Sequence, residues 1–185
     1  MPLLDLAQIF ATARDLRHGL IKPPYSAKAM IESHFSNVLV TGEDMPREIT
    51  ERVEVSADGQ RTILYNRKLS TTTHRVAIVH GLGHLIFDLT PTRQCSLNYR
   101  GPVVINEPLE ERRAELFAGE VLVPLHDLDH ILHDEPLFPA DPVEKRHFDD
   151  MLDHAASTFK VPRRFLRRRV KLLEAVRRTP YFLSK

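Results

Sequence analysis

Apolar residues recur every three or four positions over residues 3–18, the spacing of one helix face, and Gly19 follows as a C-terminal cap. The adjacent prolines Pro23 and Pro24 interrupt this pattern. Ser26 is placed to cap a second helix that runs to about Phe35, because its hydroxyl can accept from the first free backbone amides. The chain is therefore predicted to open with two helices.

The period then changes from helical to alternating. Residues 38–40 predict a short strand, and apolar and polar residues alternate over residues 49–55. The pair Asp58-Gly59 predicts a turn before a further apolar run at residues 62–65. These features predict a hairpin within a small antiparallel sheet of about three strands.

A third helix is predicted to begin at a cap within residues 70–73 and to run to about Leu89, with Pro91 beyond its end. Gly81 and Gly83 each lower helix propensity by roughly 1 kcal/mol relative to alanine, so packing must hold this helix. Gly83 would also let another backbone or a substrate approach closely. Residues 92–105 have no clean period and predict a loop over the sheet.

A fourth helix is predicted from Asn106 to the residue before Pro124. Prolines at 136, 139 and 142 mark a linker, and Asp141-Pro142 predicts the start of another helix. The turn Val161-Pro162 leads into a basic helix. The fold class is therefore α+β with a C-terminal pair resembling a helix-turn-helix, and we divide the chain into domains at residues 1–140 and 141–185.

The composition bears on the cellular compartment of the protein and on the classes of partner that it can bind. Lys and Arg number 26 against 25 Asp and Glu, so the net charge of +1 does not steer the whole molecule toward nucleic acid or membrane. The single cysteine, Cys95, cannot form an internal disulfide, and no leader-like segment opens the chain. No apolar run approaches the roughly 20 residues that span a bilayer. We expect a cytoplasmic protein that does not enter the membrane.

His80 and His84 are four residues apart, so they share a helix face and can bind one metal ion, for which zinc is suited. Zinc peptidase helices usually read His-Glu-x-x-His, and the glutamate takes a proton from the attacking water. Gly81 stands at that position here. The metal-binding pair is present, and the general base is absent.

Glu111, in the first turns of the fourth helix, is the candidate third ligand, which would leave one position of a tetrahedral site open. Its neighbours Glu107 and Glu110 have a simpler interpretation, because carboxylates are favourable near the positive end of a helix dipole.

Two longer segments carry a family resemblance. Residues 75–87 look like the Arg-Phe-x-x-Ala-His-Glu-x-Gly-His helix of the ImmA/IrrE metallopeptidases, and residues 111–124 are similar to their Glu-x-x-Ala-Asn-x-Phe-Ala-x-x-Leu-Leu-x-Pro helix. Residues 22–24, 63–66 and 155–162 also fall where that family has similar segments, so the resemblance covers most of the chain.

The resemblance implies a zincin-like metallopeptidase core binding one zinc ion, with His80, His84 and Glu111 as its ligands. It also implies that Gly81 replaces the catalytic glutamate and that Glu115 replaces an asparagine. Family members cleave helix-turn-helix repressors, or induce their cleavage by association, in stress responses and mobile-element induction. A protein substrate or partner, in particular such a repressor, is therefore expected.

Loss of a positioned base typically lowers a rate by about 10²- to 10⁴-fold. Three explanations for Gly81 stay open: a natural pseudopeptidase that binds what its relatives cut, an active enzyme inactivated by substitution, or a base supplied from elsewhere. His74 and Glu110 are the candidates for that last role.

Other histidines have weaker claims to function. His126, His130 and His133 share a helical face and could form a second metal site or line a substrate cleft, although a solvated helix face is the commoner outcome. His147 and His154 are interpreted as surface residues.

The C-terminal basic helix raises the alternative of a non-catalytic regulator that binds a repressor or DNA. The arginines that could contact phosphates are Arg163, Arg164, Arg167 and Arg168. The same helix has an apolar face that it would bury, formed by Phe165, Leu166, Val170 and Leu173. A solvated basic face would give the same pattern.

Overall fold

The structure, a computed structural model, describes residues 3–17, 26–88, 92–95, 108–132, 137, 139 and 141–177. The contacts of the chain cluster into two compact units, Met1–Leu122 and Val123–Lys185. The metal-site candidates all belong to the first unit.

The described elements of the first unit are α1 (Leu3–Arg17), α2 (Ala27–His34), β1 (Val38–Glu43), β2 (Glu51–Val55), β3 (Arg61–Asn66), α3 (Thr71–Phe87), β4 (Thr92–Cys95) and α4 (Leu109–Leu122). The α+β class is confirmed. The predicted start of a helix at Asn106, the cap at Gly19 and the end of the third helix at Leu89 and Pro91 lie outside the described residues.

The described strands form one sheet in the order β1-β3-β2-β4. The predicted hairpin is confirmed: β2 and β3 run antiparallel with Val53 opposite Ile63, and Gly59 takes a φ of 84° in the turn. The expectation of an antiparallel sheet is wrong for β1, which pairs with β3 in parallel. The sheet is mixed because β1, which follows α2, pairs with the second strand of the hairpin, β3, and runs in the same direction as that strand.

Residues 92–95, predicted as part of a loop, form the edge strand β4, which pairs antiparallel with β2. The loop prediction is wrong there because the segment Thr-Arg-Gln-Cys lacks the apolar alternation that marks a half-buried strand. Residues 96–105 of the same prediction lie outside the described part of the chain.

Helix α3 is the central element of the first unit. The Ser70 side chain caps it by accepting a hydrogen bond from the Thr73 amide, as the sequence predicts. The helix packs against β2 and β3 on one side and against α2 and α4 on others, so it is buried almost throughout. This all-round burial explains how a helix with two internal glycines is stable.

Gly83 is a point of close approach between α3 and α4. A Cβ built at Gly83 would lie 2.8 Å from the Cα of Ala114, a backbone atom that no rotamer change can move. Only glycine therefore allows the two helices to pack at this separation. The same close packing brings the first turns of α4 beside the histidine face of α3.

Asn66, at the end of β3, holds the loop that leads into β2. It is fully buried, and its side-chain amide donates to the carbonyl oxygens of Pro46 and Ile49 at 2.8 Å and of Met45 at 3.3 Å. Its backbone amide donates to the carbonyl of Thr50 at 2.9 Å. One side chain thus fixes the backbone that immediately precedes Glu51.

The described helices of the second unit are α5 (Leu125–Ile131), α6 (Pro142–Phe159) and α7 (Arg163–Arg177). Asp141 caps α6, and Lys160 takes the left-handed conformation at φ 51° that ends it, so the predicted helix, short turn and basic helix are confirmed. Phe165, Leu166, Val170 and Leu173 are buried, as predicted for the apolar face of α7.

Helix α5 packs on α7, so it groups with the C-terminal helices. The compact units therefore divide after Leu122, earlier than residue 140. The domains 1–140 and 141–185 stay a prediction. Over the described ranges, no helix is both long enough and apolar enough to cross a bilayer.

Candidate metal centre

Helix α3 places His80 and His84 side by side, as their four-residue spacing predicts. Their ring centroids lie 4.8 Å apart with the planes at 87°. Both residues are only 1% exposed, although histidine is a polar residue that is usually only partly buried. Two neighbouring buried imidazoles in this orientation are typical of a metal-binding pair.

Helix α4 brings Glu111 to the same place. The Nε2 atom of His80 lies 3.5 Å from one carboxylate oxygen of Glu111, and the Nε2 atom of His84 lies 3.6 Å from the other. Among the described residues, these three form the one group of histidine, cysteine, aspartate or glutamate side chains that could hold a metal ion. The structure thus brings together the three residues that the sequence singled out.

Each histidine has a second carboxylate behind it. The Nδ1 atom of His80 lies 2.6 Å from Glu51 on β2, and the Nδ1 atom of His84 lies 2.7 Å from Asp88 at the end of α3. When Nδ1 donates to a carboxylate, the lone pair of the neutral imidazole lies on Nε2, which faces Glu111. The residues therefore fit a metal ion, with two imidazole nitrogens and one carboxylate as donors.

The sequence analysis missed Glu51 and Asp88. A signal existed for Glu51: the alternation of β2 places it on the same face as the buried Val53, where an acidic residue is unusual. Asp88 follows His84 by four residues, one helical turn, which was the same spacing that identified the histidine pair.

The charge of His80 is set by competing effects. Burial opposes the protonated form and lowers its pKa, but the carboxylates of Glu51, Glu111 and Glu115 together outweigh burial and raise the pKa above its ordinary value. The metal-free site therefore holds a proton on His80 more tightly than a free histidine would.

The raised pKa of His80 predicts that the stability of the metal-free protein and the stabilisation conferred by metal change with pH in opposite directions. In metal-free protein, His80 stabilises the fold fully below the unfolded-state pKa, and this contribution is lost as pH rises through the folded-state pKa. A metal ion must displace the proton, so the stabilisation that added metal confers should grow over the same range. Thermal unfolding with zinc and with chelator between about pH 6 and 8 measures both trends. A metal-induced shift independent of pH would contradict this prediction.

The Cα of Gly81 faces the sheet. A Cβ built there would lie 3.0 Å from the Cγ2 of Ile63 and 3.1 Å from the Cγ1 of Val53, closer than ordinary van der Waals contact. These two side chains are almost fully buried. The space beside His80 at the position of the missing glutamate is therefore filled by apolar methyl groups.

Neither alternative base belongs to the group of three. The ring of His74 packs against that of Tyr65 with 4.9 Å between centroids. His74 precedes His80 by six residues, a rise of about 9 Å along the helix axis. Glu110 is half-buried in the first turn of α4 and is also outside the group. Their proposed role stays a prediction.

The remaining histidines are exposed where the structure describes them. His126 and His130 are exposed on α5, and His133 lies outside the described residues. A functional role for this trio stays a prediction. His147 and His154 are exposed on α6, which confirms their assignment to the surface.

Arg163 and Arg167, which were named for DNA contact, bind carboxylates within their own unit. Arg163 pairs with Asp149 and, at 3.0 Å, with Asp153. Arg167 also pairs with Asp149 at 3.0 Å. These ion pairs between α6 and α7 neutralise part of the basic face, which lowers the charge available for a phosphate backbone.

A scan against protein-family models matched the chain over residues 36–171 to Peptidase M78, IrrE N-terminal-like domain. The match includes the sheet, both histidines, Glu111 and most of the C-terminal helices. A search of curated proteins gave no match.

Proposed function

The chain belongs to the Peptidase M78 family, with its IrrE N-terminal-like domain, and on that premise we propose that it is a zinc-binding pseudopeptidase. It holds a protein partner at the metal centre without cutting it efficiently. The observation that carries the proposal is an assembled His80, His84 and Glu111 group beside Gly81, which offers no general base.

The geometry of the three donors supports zinc. Around a tetrahedral zinc ion with bonds of about 2.0–2.1 Å, donor atoms lie roughly 3.4 Å apart. The two distances between histidine Nε2 atoms and Glu111 oxygens, 3.5 and 3.6 Å, run to different oxygens and are close to that value, and one donor atom from each of the three residues lies within 4.8 Å of the others. A bound zinc would act as a Lewis acid and polarise a carbonyl group of the partner.

Gly81 supports the non-catalytic half of the proposal. Glycine has no group that could accept a proton from water, and the loss of a general base lowers rates by about 10²- to 10⁴-fold. The packing of Val53 and Ile63 also matters, because a Cβ at position 81 would require their methyl groups to shift by a few tenths of an ångström.

The resemblance to the ImmA/IrrE metallopeptidases, which act on helix-turn-helix repressors, supports the choice of partner. We propose a cytoplasmic helix-turn-helix repressor, bound in a stress or mobile-element response. Direct contact of α7 with DNA is the second candidate, and the pairing of Arg163 and Arg167 with Asp149 makes it the weaker one.

The test compares the wild-type protein with Gly81→Glu, Val53→Ala and the double variant Gly81→Glu/Val53→Ala, using a repressor that co-purifies with the zinc-loaded protein. Val53→Ala removes the Cγ1 atom that lies 3.1 Å from a Cβ built at position 81, which lets Ile63 give way to the new side chain. We expect wild type and Val53→Ala to bind the repressor without cleaving it. The double variant should cleave it about 10²-fold faster or more.

Two results would count against the proposal. If wild type cleaves the repressor as fast as the double variant does, the base comes from another residue. If the repressor binds equally well to protein stripped of metal and carrying Glu111→Gln, the metal centre is not the binding site.

A further inference from the structure

We propose that Glu51 is a positioning residue of the metal centre, which fixes the ring of His80 so that its Nε2 atom faces the metal. Asp88 does the same for His84. This inference rests on the proposed zinc function, and it adds a residue from the sheet to a site whose other members lie on α3 and α4 or at the end of α3.

The burial of Glu51 is the first argument. Its side chain is 0% exposed, and an ionisable group is almost never fully buried unless it is paired. Its Oε1 atom is paired with His80 at 2.6 Å, but its Oε2 atom is buried and has no hydrogen-bond partner among the described residues. Such a carboxylate is unfavourable for folding, so its presence calls for a reason outside stability.

The second histidine repeats the arrangement independently. The Asp88 side chain is 1% exposed, one of its oxygens lies 2.7 Å from the Nδ1 atom of His84, and the other is buried with no hydrogen-bond partner within the described part of the chain. Two carboxylates from different segments thus contact the same atom type of two adjacent histidines. Metal-bound histidines commonly donate to a carboxylate in this way, which sets the tautomer and makes the ligand more basic.

The surrounding fold determines where Glu51 lies. Glu51 is the first residue of β2 and pairs with Tyr65 of β3 and Cys95 of β4, so its backbone is fixed on both sides. Asn66 holds the preceding residue through the Thr50 carbonyl. A one-residue slip of β2 would turn Glu51 to the opposite face and leave His80 without its partner.

The test uses Glu51→Leu, which removes the acceptor at similar volume, and Glu51→Gln, which keeps a weaker neutral acceptor. Glu54→Gln is the matched control, because Glu54 lies on the same strand but is partly exposed and pairs with Arg52. Zinc affinity is measured by competition with a chromophoric chelator. We expect a loss of about 100-fold for Glu51→Leu, about 10-fold for Glu51→Gln and none for Glu54→Gln.

Two further measurements separate positioning from a structural role. Long-range proton–nitrogen NMR of metal-free protein should show the proton of neutral His80 on Nδ1 in wild type and Glu54→Gln, and on Nε2 in Glu51→Leu. Urea unfolding of metal-free protein should show a loss of stability for Glu51→Leu, because His80 loses its buried partner, so zinc affinity is referred to the folded fraction. Replacing a residue that only supports the fold would lower stability and leave the affinity of the folded fraction unchanged.

The proposal is overturned if Glu51→Leu and Glu51→Gln bind zinc within about twofold of wild type, or if the His80 tautomer is the same in wild type and Glu51→Leu. Should Glu51→Leu not fold, the affinity of Glu51→Gln still decides. If the wild-type protein binds no zinc but its His80 carries the proton on Nδ1, the proposed zinc function is wrong. The role of Glu51 in orienting the His80 ring would still stand.

Discussion

Replacing Glu111 by glutamine is expected to remove zinc from the protein while lowering the stability of the metal-free fold much less than His80→Ala does. Glutamine has the same shape but lacks the negative charge that faces both Nε2 atoms at 3.5 and 3.6 Å. The Glu111 side chain is 26% exposed, so an amide in its place can be hydrated. We expect zinc affinity to fall by more than about 100-fold, beyond the usual effect of an outer-shell change.

Elemental analysis after dialysis measures this loss directly. Glu110→Gln is the matched control, since Glu110 lies in the same helical turn, is similarly half-buried and is not part of the metal group. It should retain zinc near one ion per chain. Glu111→Gln protein that retains as much zinc as Glu110→Gln would show that the ligand set is wrong.

His80→Ala should lose zinc as well, but it should also destabilise the metal-free protein. Glu51 is fully buried, and His80 is its hydrogen-bond partner. Removing one member of a buried charged pair typically costs about 3–5 kcal/mol. Comparison of the two variants therefore separates metal binding from folding.

Gly83→Ala is expected to lower the free energy of unfolding by about 2 kcal/mol and to weaken zinc binding. The new Cβ would lie 2.8 Å from the Cα of Ala114, so α3 and α4 must separate. Overpacking against a backbone atom is expected to cost about 3 kcal/mol, the upper end of the usual range. The better helix propensity of alanine returns about 1 kcal/mol. Separation of the helices also moves Glu111 away from the histidines.

Gly81→Ala is the matched control for this effect. It makes the same change in the same helix, but its Cβ would meet the side-chain methyl groups of Ile63 and Val53, which can shift by a few tenths of an ångström. We expect its stability to stay within about 1 kcal/mol of wild type, with zinc affinity unchanged. Equal losses in the two alanine variants, measured by urea unfolding in chelator, would contradict the close-packing argument.

Local chemistry made much of this fold predictable. The caps at Ser70 and Asp141 made the starts of their helices predictable, because a capping side chain is close in sequence to the backbone amides from which it accepts hydrogen bonds. The histidine pair followed from helical geometry, and Gly83 was correctly expected to admit another backbone. Each of these inferences depends on residues within one or two turns of each other.

Features that depend on distant residues were not predictable. Alternation shows that a segment is a strand but does not show which neighbour it pairs with, so the parallel pairing of β1 with β3 could not be foreseen. The edge strand β4 is stabilised by its ladder with β2 and has no pattern of its own. The contact of Glu51 with His80 joins positions 29 residues apart, and no local rule connects them.

The hydrogen bonds of Asn66 also bear on the chemical ageing of the protein. Deamidation of an asparagine begins when the backbone nitrogen of the next residue attacks the side-chain amide carbon. Here the amide nitrogen of Asn66 is held by three carbonyl oxygens, and the backbone N–H of Arg67 is engaged with the carbonyl of Glu43 at 2.9 Å. The folded state therefore hinders the reaction, which releases ammonia and forms a succinimide. Hydrolysis of the succinimide gives aspartate and isoaspartate, so these residues at position 66 would accumulate in stored samples as a record of how long the first unit had spent unfolded.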